Sequence, residues 1–491
     1  MNNSLLIKHI MGLKLKELRQ SSNLSFQELA DKTGLSISYL NEIEKGKKYP
    51  KGDKIMALAN AFNIEYDELV SLKVSKKLQP IIDLLDSNLI KEFPLEIFGL
   101  EIHSLIELLS FAPEKVNAFI NTVVQMARNY EMRKEDFYYA ALRSYQELND
   151  NYFIDIENFT KKFRLEYNSL AHINPSVDSL TQILNKMGIA VNYDLANFPE
   201  LQKIRALKVE SKNQLLLNSW LTSSQTKFQL AREIGYQYMK LNDRAYETPV
   251  QKAESFEKLL NNFKASYFAS SLLMEEKEVI KDVRQFAKLK TWQPQEFLNF
   301  LSKYDCTVEM LMSRLSNILP KHFDLKNLFF LIFSTADECE TLDLTKELHL
   351  SQFHHPHTNF LNEHYCRRWV AIKSLQQIAN AQSREEKLIA LAQRSEYWNT
   401  PNEYLCLSIA KSRNAKKMER ISVTIGFLVD DELKKTVKFL DDPNLKRELV
   451  HTTCERCGIE NCSERKAKPK VLNFLENQKI IDEKLKTIIL S

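Results

Sequence analysis

Glycine is scarce in this chain, with 9 among 491 residues, whereas an average protein at about 7% would hold several times more. The nine (Gly12, Gly34, Gly46, Gly52, Gly99, Gly188, Gly235, Gly426, Gly458) make no GxGxxG pair, no Walker loop and no GxSxG elbow. Phosphate cradles need close backbone approach, and nucleophile elbows need a strained turn that small residues allow. Both devices are therefore missing, which argues against common nucleotide-dependent catalysis and elbow-type serine hydrolysis. Long apolar runs are also missing. The longest candidate, Leu328 to Phe333, is strand-length, far short of the ~20 residues that span a bilayer. No membrane association is expected. The opening Met1-Asn-Asn-Ser-Leu-Leu-Ile-Lys lacks a charged leader followed by an apolar stretch, so no signal peptide is expected and a cytoplasmic location is. A large excess of one charge is absent too: the net charge is only +4. Any claim of nucleic-acid binding must then rest on a local motif rather than on global electrostatics.

What is present is ordinary globular composition, 44% apolar and 27% charged, in a chain longer than the roughly 250–300 residues one core supports. Three or four structural units are expected. The seven cysteines (Cys306, Cys339, Cys366, Cys406, Cys454, Cys457, Cys462) are odd in number and crowd the C-terminal part. In a long chain without a leader, that pattern suits a metal or redox site better than a disulfide framework.

Residues 13–72 read as five short helices. Leu15 and Leu18 stripe the first, and Ser25 with Glu28 opens the second as a capping box. Gly34 closes that helix, Ser36 caps the third with Leu40 and Ile43 inward, and Ile55, Leu58, Ala59 and Phe62 form one face of the fourth. Tyr66, Leu69 and Val70 hold a last turn, and Lys73 to Lys77 reads as a linker. Residues 76–150 form a helical connecting region without a chemical motif. From about 150 to 275 the pattern changes: Ile189–Tyr193, Ile204–Val209 and Leu215–Ser219 read as strands, followed by a long helix from Thr226 to Leu241, and residues 276–320 are helical again. Beyond 326, strands at Leu328–Phe333, Ile421–Leu428 and Thr436–Leu440 alternate with helices.

The run Phe26-Gln-Glu-Leu-Ala-Asp-Lys-Thr-Gly-Leu-Ser-Ile-Ser-Tyr-Leu-Asn-Glu-Ile-Glu-Lys-Gly-Lys resembles the phage-repressor (XRE, Cro/C1) helix-turn-helix family. With Leu40 and Ile43 inward, Ser36, Ile37, Ser38, Asn41 and Glu42 face outward from the first half of a helix sized for the major groove. The resemblance places base contacts at Ile37, Ser38, Asn41 and Glu42, with Ser36 nearer the backbone and Tyr39 within the same DNA-binding set. Lys45, Lys47 and Lys48 follow, positioned to meet phosphates, which supply affinity without sequence information. Phe26 stands where many members carry a phosphate-binding glutamine. A unit this small reads few base pairs, so a homodimer on an inverted-repeat operator in double-stranded DNA is expected.

The strands before 220, with Phe228-Gln-Leu-Ala-Arg-Glu-Ile-Gly-Tyr-Gln-Tyr, resemble the ImmA/IrrE-type metallopeptidase domain, whose helix bears HExxH. Here Arg232 and Tyr236 occupy the two histidine positions around Glu233, and arginine does not deprotonate to bind zinc. Asn262 and Lys264 stand where the resemblance calls for an acidic ligand. The domain reads as a non-enzymatic descendant whose old cleft (Arg232, Glu233, Tyr236) is open to a small molecule; the plainer alternative is an Arg232–Glu233 ion pair.

Cys454-Glu-Arg-Cys457-Gly-Ile-Glu-Asn-Cys462 gives C-x2-C-x4-C, three thiols able to hold three corners of a tetrahedral site or a cubane. Cys366, in Tyr365-Cys-Arg-Arg-Trp369, is the expected fourth ligand. Three clustered cysteines plus one distant suit a 4Fe–4S cluster, zinc being the alternative, and Arg367, Arg368, Arg456 and Arg465 would offset its charge. Cys306, Cys339 and Cys406 read as buried hydrophobes in helix or strand contexts. His354, His355 and His357 form a second metal-capable patch.

In order, these pieces resemble the short-chain fatty acyl regulators of the XRE group. The resemblance implies a predominantly α fold with smaller α+β parts: a lambda-repressor-like five-helix domain (1–75), the connecting region (76–150), a degenerate peptidase-like domain (151–320) and a C-terminal mixed sensory domain with the cysteine site (321–491). It also implies an acyl-CoA effector and, in some members, an iron–sulfur cluster. Arg367 replaces the proline the family usually has after its first cysteine. Effector or cluster binding would act by linkage, shifting the dimer between arrangements of different DNA affinity. The competing classes are a zinc metallopeptidase acting on a repressor partner and a purely redox-sensing regulator.

Overall fold

The structure is a computed structural model and describes residues 3–71, 134–167, 174–336, 339–350, 363–380, 388–414 and 419–490. The expected linker, the connecting region up to residue 133 and the histidines His354, His355 and His357 lie outside the described residues. The chain divides into two compact units, residues 1–138 with 254–257, and the remainder.

In the first unit five helices pack around one small core: α1 (Asn3–Ser21), α2 (Phe26–Thr33), α3 (Ile37–Glu44), α4 (Gly52–Phe62) and α5 (Tyr66–Val70). The first starts ten residues earlier than the apolar stripe suggested, because Ile10 and Met11 extend its buried face. Ser25 and Glu28 cap α2 reciprocally, and Gly34 leaves it at φ +68°, a left-handed turn without side-chain strain. Leu29, Leu40, Ile43, Ile55 and Leu58 close the core. Gly12 lets α1 touch the end of α3: a Cβ there would lie 2.4 Å from the Ile43 carbonyl oxygen.

The second unit takes helix α6 (Lys134–Leu148) from Tyr139 onward, with α7 (Ile154–Glu166) and α8 (Val177–Lys186), then β1 (Ala190–Asn192), β2 (Ala206–Val209), β3 (Gln214–Leu217), α9 (Ser223–Tyr238) and β4 (Glu247–Thr248). These strands form a small sheet in the order β1-β3-β2-β4, with β1 parallel to β3. The helix expected at 226–241 begins three residues earlier because Thr222 and Gln225 form a capping box. Helices α10 (Phe256–Leu273), α11 (Glu276–Ala287), α12 (Pro294–Tyr304) and α13 (Val308–Phe323) follow.

A second sheet contains β5 (Leu328–Thr335), β6 (Asp343–His349), β7 (Leu388–Tyr397), β8 (Glu403–Asn414), β9 (Glu419–Leu428) and β10 (Lys446–Val450) in the order β10-β7-β8-β9-β5-β6. Strand β5 is apolar from Leu328 to Phe333 because both its faces are covered there. Phe330 and Ile332 join the large core with α11–α13, while Phe329, Leu331 and Phe333 pack toward α14 (Val370–Asn380). The large core is continuous from Phe153 to Leu445, so the peptidase-like helices and this sheet share one interior. The stretch Thr436–Leu440 is not the expected strand. Asp430 caps α15 (Asp431–Thr436) by accepting the Leu433 N–H, and a 3-10 turn over Lys438–Asp441 buries Phe439 and Leu440. A last helix, α16 (Lys470–Leu490), ends the described chain.

Candidate functional site

The third helix of the first unit is built to expose one end. Ser36 accepts the Tyr39 N–H at 3.2 Å, fixing the helix start. Leu40 and Ile43 have no exposure, so the opposite face must point outward: Ser36, Ile37 and Ser38 are exposed, with Asn41 and Glu42 half-buried beside them. Lys45, Lys47 and Lys48 are exposed at its far end. Glu42 is paired with Lys48 at 2.8 Å. Tyr39 is half-buried, its ring flanked by Lys48 and, at 4.3 Å, by Lys54. Lys54 belongs to this basic rim and was not among the expected residues; only the fold of α4 back toward α3 places it there. Phe26 supports the helix pair instead of binding anions: Arg19 lies 4.2 Å over its ring and is held by Glu44 at 2.6 and 3.0 Å.

On α9 the three expected residues are all buried, with Arg232, Glu233 and Tyr236 at 5%, 2% and 2% exposure. The expected Arg232–Glu233 pair does not form. Glu233 is engaged by Arg244, whose two terminal nitrogens lie 2.8 and 2.6 Å from its oxygens. The Arg244 guanidinium also covers the Tyr236 ring at 3.7 Å. The Tyr236 hydroxyl faces the Asn262 oxygen at 3.5 Å, so the position expected to carry an acidic ligand is brought to the same place, without an acid. Gly235 allows this helix to lie against Phe268, which a Cβ would meet at 2.9 Å. Arg244 sits on a loop after α9 and had no sequence signal.

The four expected cysteines come together. An isolated bridge joins Tyr365 to Thr453, the Cys366 N–H donates to the Thr452 carbonyl at 3.1 Å, and the Cys454 N–H donates to the His364 carbonyl at 2.8 Å. Cys366, Cys454, Cys457 and Cys462 then line one small cavity with Arg367, Arg368 and Arg465, its room being about 10 Å3. Backbone N–H groups already address two sulfurs: Ile459 donates to Cys457 Sγ and Lys466 to Cys454 Sγ, each at 3.4 Å. Burial pushes the Cys366 thiol up to about 11 and also raises Cys457. Arg465 clamps the loop by donating to the carbonyls of Cys454, Cys457 and Ile459. Arg456 is turned to Glu363 at 2.7 Å rather than toward the sulfurs. Among the described residues no group of three or more His, Cys, Asp or Glu is already placed to hold a metal ion. Cys306, Cys339 and Cys406 are buried as expected, but only Cys406 lies in a strand: Cys306 falls between α12 and α13, and Cys339 occupies a bend at φ +68°.

Residues 15–69 match the family described as "Helix-turn-helix", and residues 185–316 match "IrrE N-terminal-like domain". The chain carries an XRE-type helix-turn-helix domain and an IrrE-like domain. The first of these covers all of α2, α3 and α4, and with them every residue of the exposed helix end. Over 59 residues the chain is 30% identical to "Transcriptional regulator ClgR" of Mycobacterium tuberculosis, in strains CDC 1551 / Oshkosh and H37Rv. That stretch is 12% of this chain and 53% of each relative, so the chain spans about half the length of the curated relatives it matches. A solved "Mycobacterium tuberculosis transcriptional regulator" is similar over 67% of this chain and 93% of its own, at 16% identity and a TM-score of 0.47. The IrrE-like domain runs from the end of α8 through the small sheet and α9 to the middle of α13, and carries Arg232 and Tyr236 where the metallopeptidase pattern has histidines.

Proposed function

We propose that this chain is a sequence-specific transcription regulator that binds double-stranded DNA through α3, as a homodimer on an inverted repeat, in the cytoplasm. The observation that carries the reading is the exposed first turn of α3. Ser36, Ile37 and Ser38 stand free of the core while Leu40 and Ile43 anchor the other face, which is the presentation a major-groove reader requires. Among the described residues no helix is long and apolar enough to cross a membrane. The test is selection of operators from random duplexes by the full chain, followed by titration of Ser38→Ala and Asn41→Ala. Affinity that depends on salt alone and ignores sequence would sink the proposal.

The IrrE-like domain is regulatory and not enzymatic in this reading. Two positions of the metal-binding motif are an arginine and a tyrosine, and the acid of that motif, Glu233, is held by Arg244. Proteolysis of a partner that a chelator abolishes would restore the peptidase alternative.

Two inputs are proposed. One is a short-chain acyl-CoA, for whose acyl end the apolar cavity of about 50 Å3 lined by Phe286, Phe297, Phe300, Leu407 and Phe439 offers room. The other is a metal held by Cys366, Cys454, Cys457 and Cys462. The donor set suits zinc or iron–sulfur chemistry. A bound metal would fix the loop that Arg465 clamps. Iron, sulfide and zinc analysis of protein purified without oxygen decides between them, with Cys457→Ser as the control. A regulator that answers only to oxidation should ignore added acyl-CoA.

A further inference from the structure

Two buried arginines in the second unit are treated differently. Arg314, fully buried, is held by Glu157 at 2.5 and 3.0 Å and donates to the Met274 carbonyl. Arg232 is almost as buried, at 5% exposure, yet among the described residues no carboxylate forms an ion pair with it. Its contacts are with Tyr236, as a hydrogen bond and with its guanidinium 5.6 Å from the ring. The neighbouring carboxylate, Glu233, already has both oxygens taken by Arg244, and Gln237 adds a third hydrogen bond to it. The next cation, Lys208, is 6% exposed, donates to the Asn213 oxygen and has Glu210 as a further acid within its field. Glu233 is thus held by Arg244 and Glu210 lies beside Lys208, so neither carboxylate pairs with Arg232.

An arginine cannot escape that situation by losing its proton, and a guanidinium removed from water without an anion is strongly disfavoured. Burial pushes the Arg232 pKa down, the mark of a charge without enough compensation. The surroundings also offer neutral donors. Tyr236 is buried and burial raises its pKa, so it stays a phenol; its one proton goes to the Asn262 oxygen at a long 3.5 Å, a bond that an incoming oxyanion would take over. A fixed cation with a phenol beside it, at the two positions where the peptidase pattern has metal ligands, matches an oxyanion in charge and in hydrogen-bond demand.

We propose that Arg232 and Tyr236 form the anchor for one oxyanion, the carboxylate or phosphate group of a small regulatory ligand, inside the IrrE-like domain. The inference rests on that domain being non-enzymatic and does not depend on the acyl-CoA reading. It makes the lost metal site an anion site, with the guanidinium in the place of the metal.

The test uses the full chain at low ionic strength, titrated by calorimetry with inorganic phosphate and, separately, with propionate. Saturable binding of either supports the proposal, phosphate pointing to a phosphorylated ligand and propionate to an organic acid. Arg232→Gln should weaken that binding ~10-fold or more, the scale of one lost charge-assisted contact. The same variant should melt no lower than wild type without anion, since it removes an unpaired buried charge. Tyr236→Phe keeps the ring under Arg244 and should weaken binding by a smaller factor, which serves if Arg232→Gln fails to fold. Absence of saturable binding by either anion, undiminished binding in both variants, or an anion-free Arg232→Gln that folds but melts far below wild type would each overturn the proposal. Operator binding is followed on the same samples: retained DNA binding without anion binding defeats this inference alone, and absent DNA binding by wild type defeats the regulator reading alone.

Discussion

Single side chains in this protein are assigned by their partners more than by their type. Glu276 receives the Tyr152 hydroxyl at 2.6 Å and has Lys161 and His322 at 2.7 and 2.8 Å. Burial alone would raise its pKa, but the hydrogen bonds from Lys161, Tyr152 and His322 outweigh it and hold the carboxyl at about 2. A carboxylate whose folded pKa is depressed adds stability above its unfolded value near 4.5, and that stability is lost as pH falls toward 2. Glu276→Gln should therefore lower the thermal midpoint at pH 7. The gap from wild type should close between about pH 4.5 and pH 2, read from melts across that range; a gap independent of pH would contradict the assignment. At the exposed end of α3, Asn41→Ala should cost about 1–3 kcal/mol of operator affinity and relax the preference at one base pair. Lys47→Ala should weaken all sequences alike and reduce the salt slope by about 1.

Elements differ in how far the sequence announces them, and the reason is physical. The α3 region is local: Ser36, Leu40 and Ile43 are enough to define which face is buried, and the capping box at Ser25 and Glu28 lies within four residues. Both were readable from spacing. Ser36→Ala should accordingly destabilise the first unit by about 1 kcal/mol, and Leu40→Ala by about 2–5 kcal/mol, measured by denaturant unfolding of the full chain with a probe in that unit. Strands β6, β7, β8 and β10 were not foreseen. In β7, Gln393, Arg394 and Ser395 are buried, so no apolar alternation marks it; Arg394 is instead held by Glu403 on the neighbouring strand at 2.5 and 2.7 Å. The cluster of Cys366 with Cys454 lay halfway: C-x2-C-x4-C is local, while the fourth cysteine, 88 positions before Cys454 in the sequence, depends on a bridge between Tyr365 and Thr453 that no pattern shows. The partner of Glu233 was unreadable for the same reason, because Arg244 reaches it from a loop.

At the scale of the whole molecule, the homodimer of the proposed function needs a surface that a second copy can match. In the proposed reading the exposed side of helix α16 would supply it. Phe474, Ile481 and Leu485 are 62%, 49% and 51% exposed, on a helix of 21 residues, or roughly 31 Å at 1.5 Å per residue. Positions 471, 474, 478, 481, 485 and 488 hold Val, Phe, Gln, Ile, Leu and Ile, alternating steps of three and four that form one seam of a coiled coil. A seam of this kind is self-complementary, and Gln478 within it would favour one register at some cost in stability. Lysines and acids (Lys479, Asp482, Glu483, Lys484, Lys486) share the other faces with further exposed apolar residues, Leu475, Ile480 and Ile489. An exposed apolar stripe of this length on a folded chain marks an association surface. Ile481→Lys with Leu485→Lys should convert the dimer to monomer in sedimentation or light scattering without lowering the melting midpoint of the second unit. Because a single helix-turn-helix unit reads only one half-site, the same variant should bind an isolated half-site as well as wild type does and lose the extra affinity for the full inverted repeat. A dimer that survives both lysines would move the two-fold axis to another surface, while a monomer that keeps full operator affinity would remove dimerisation from the mechanism altogether.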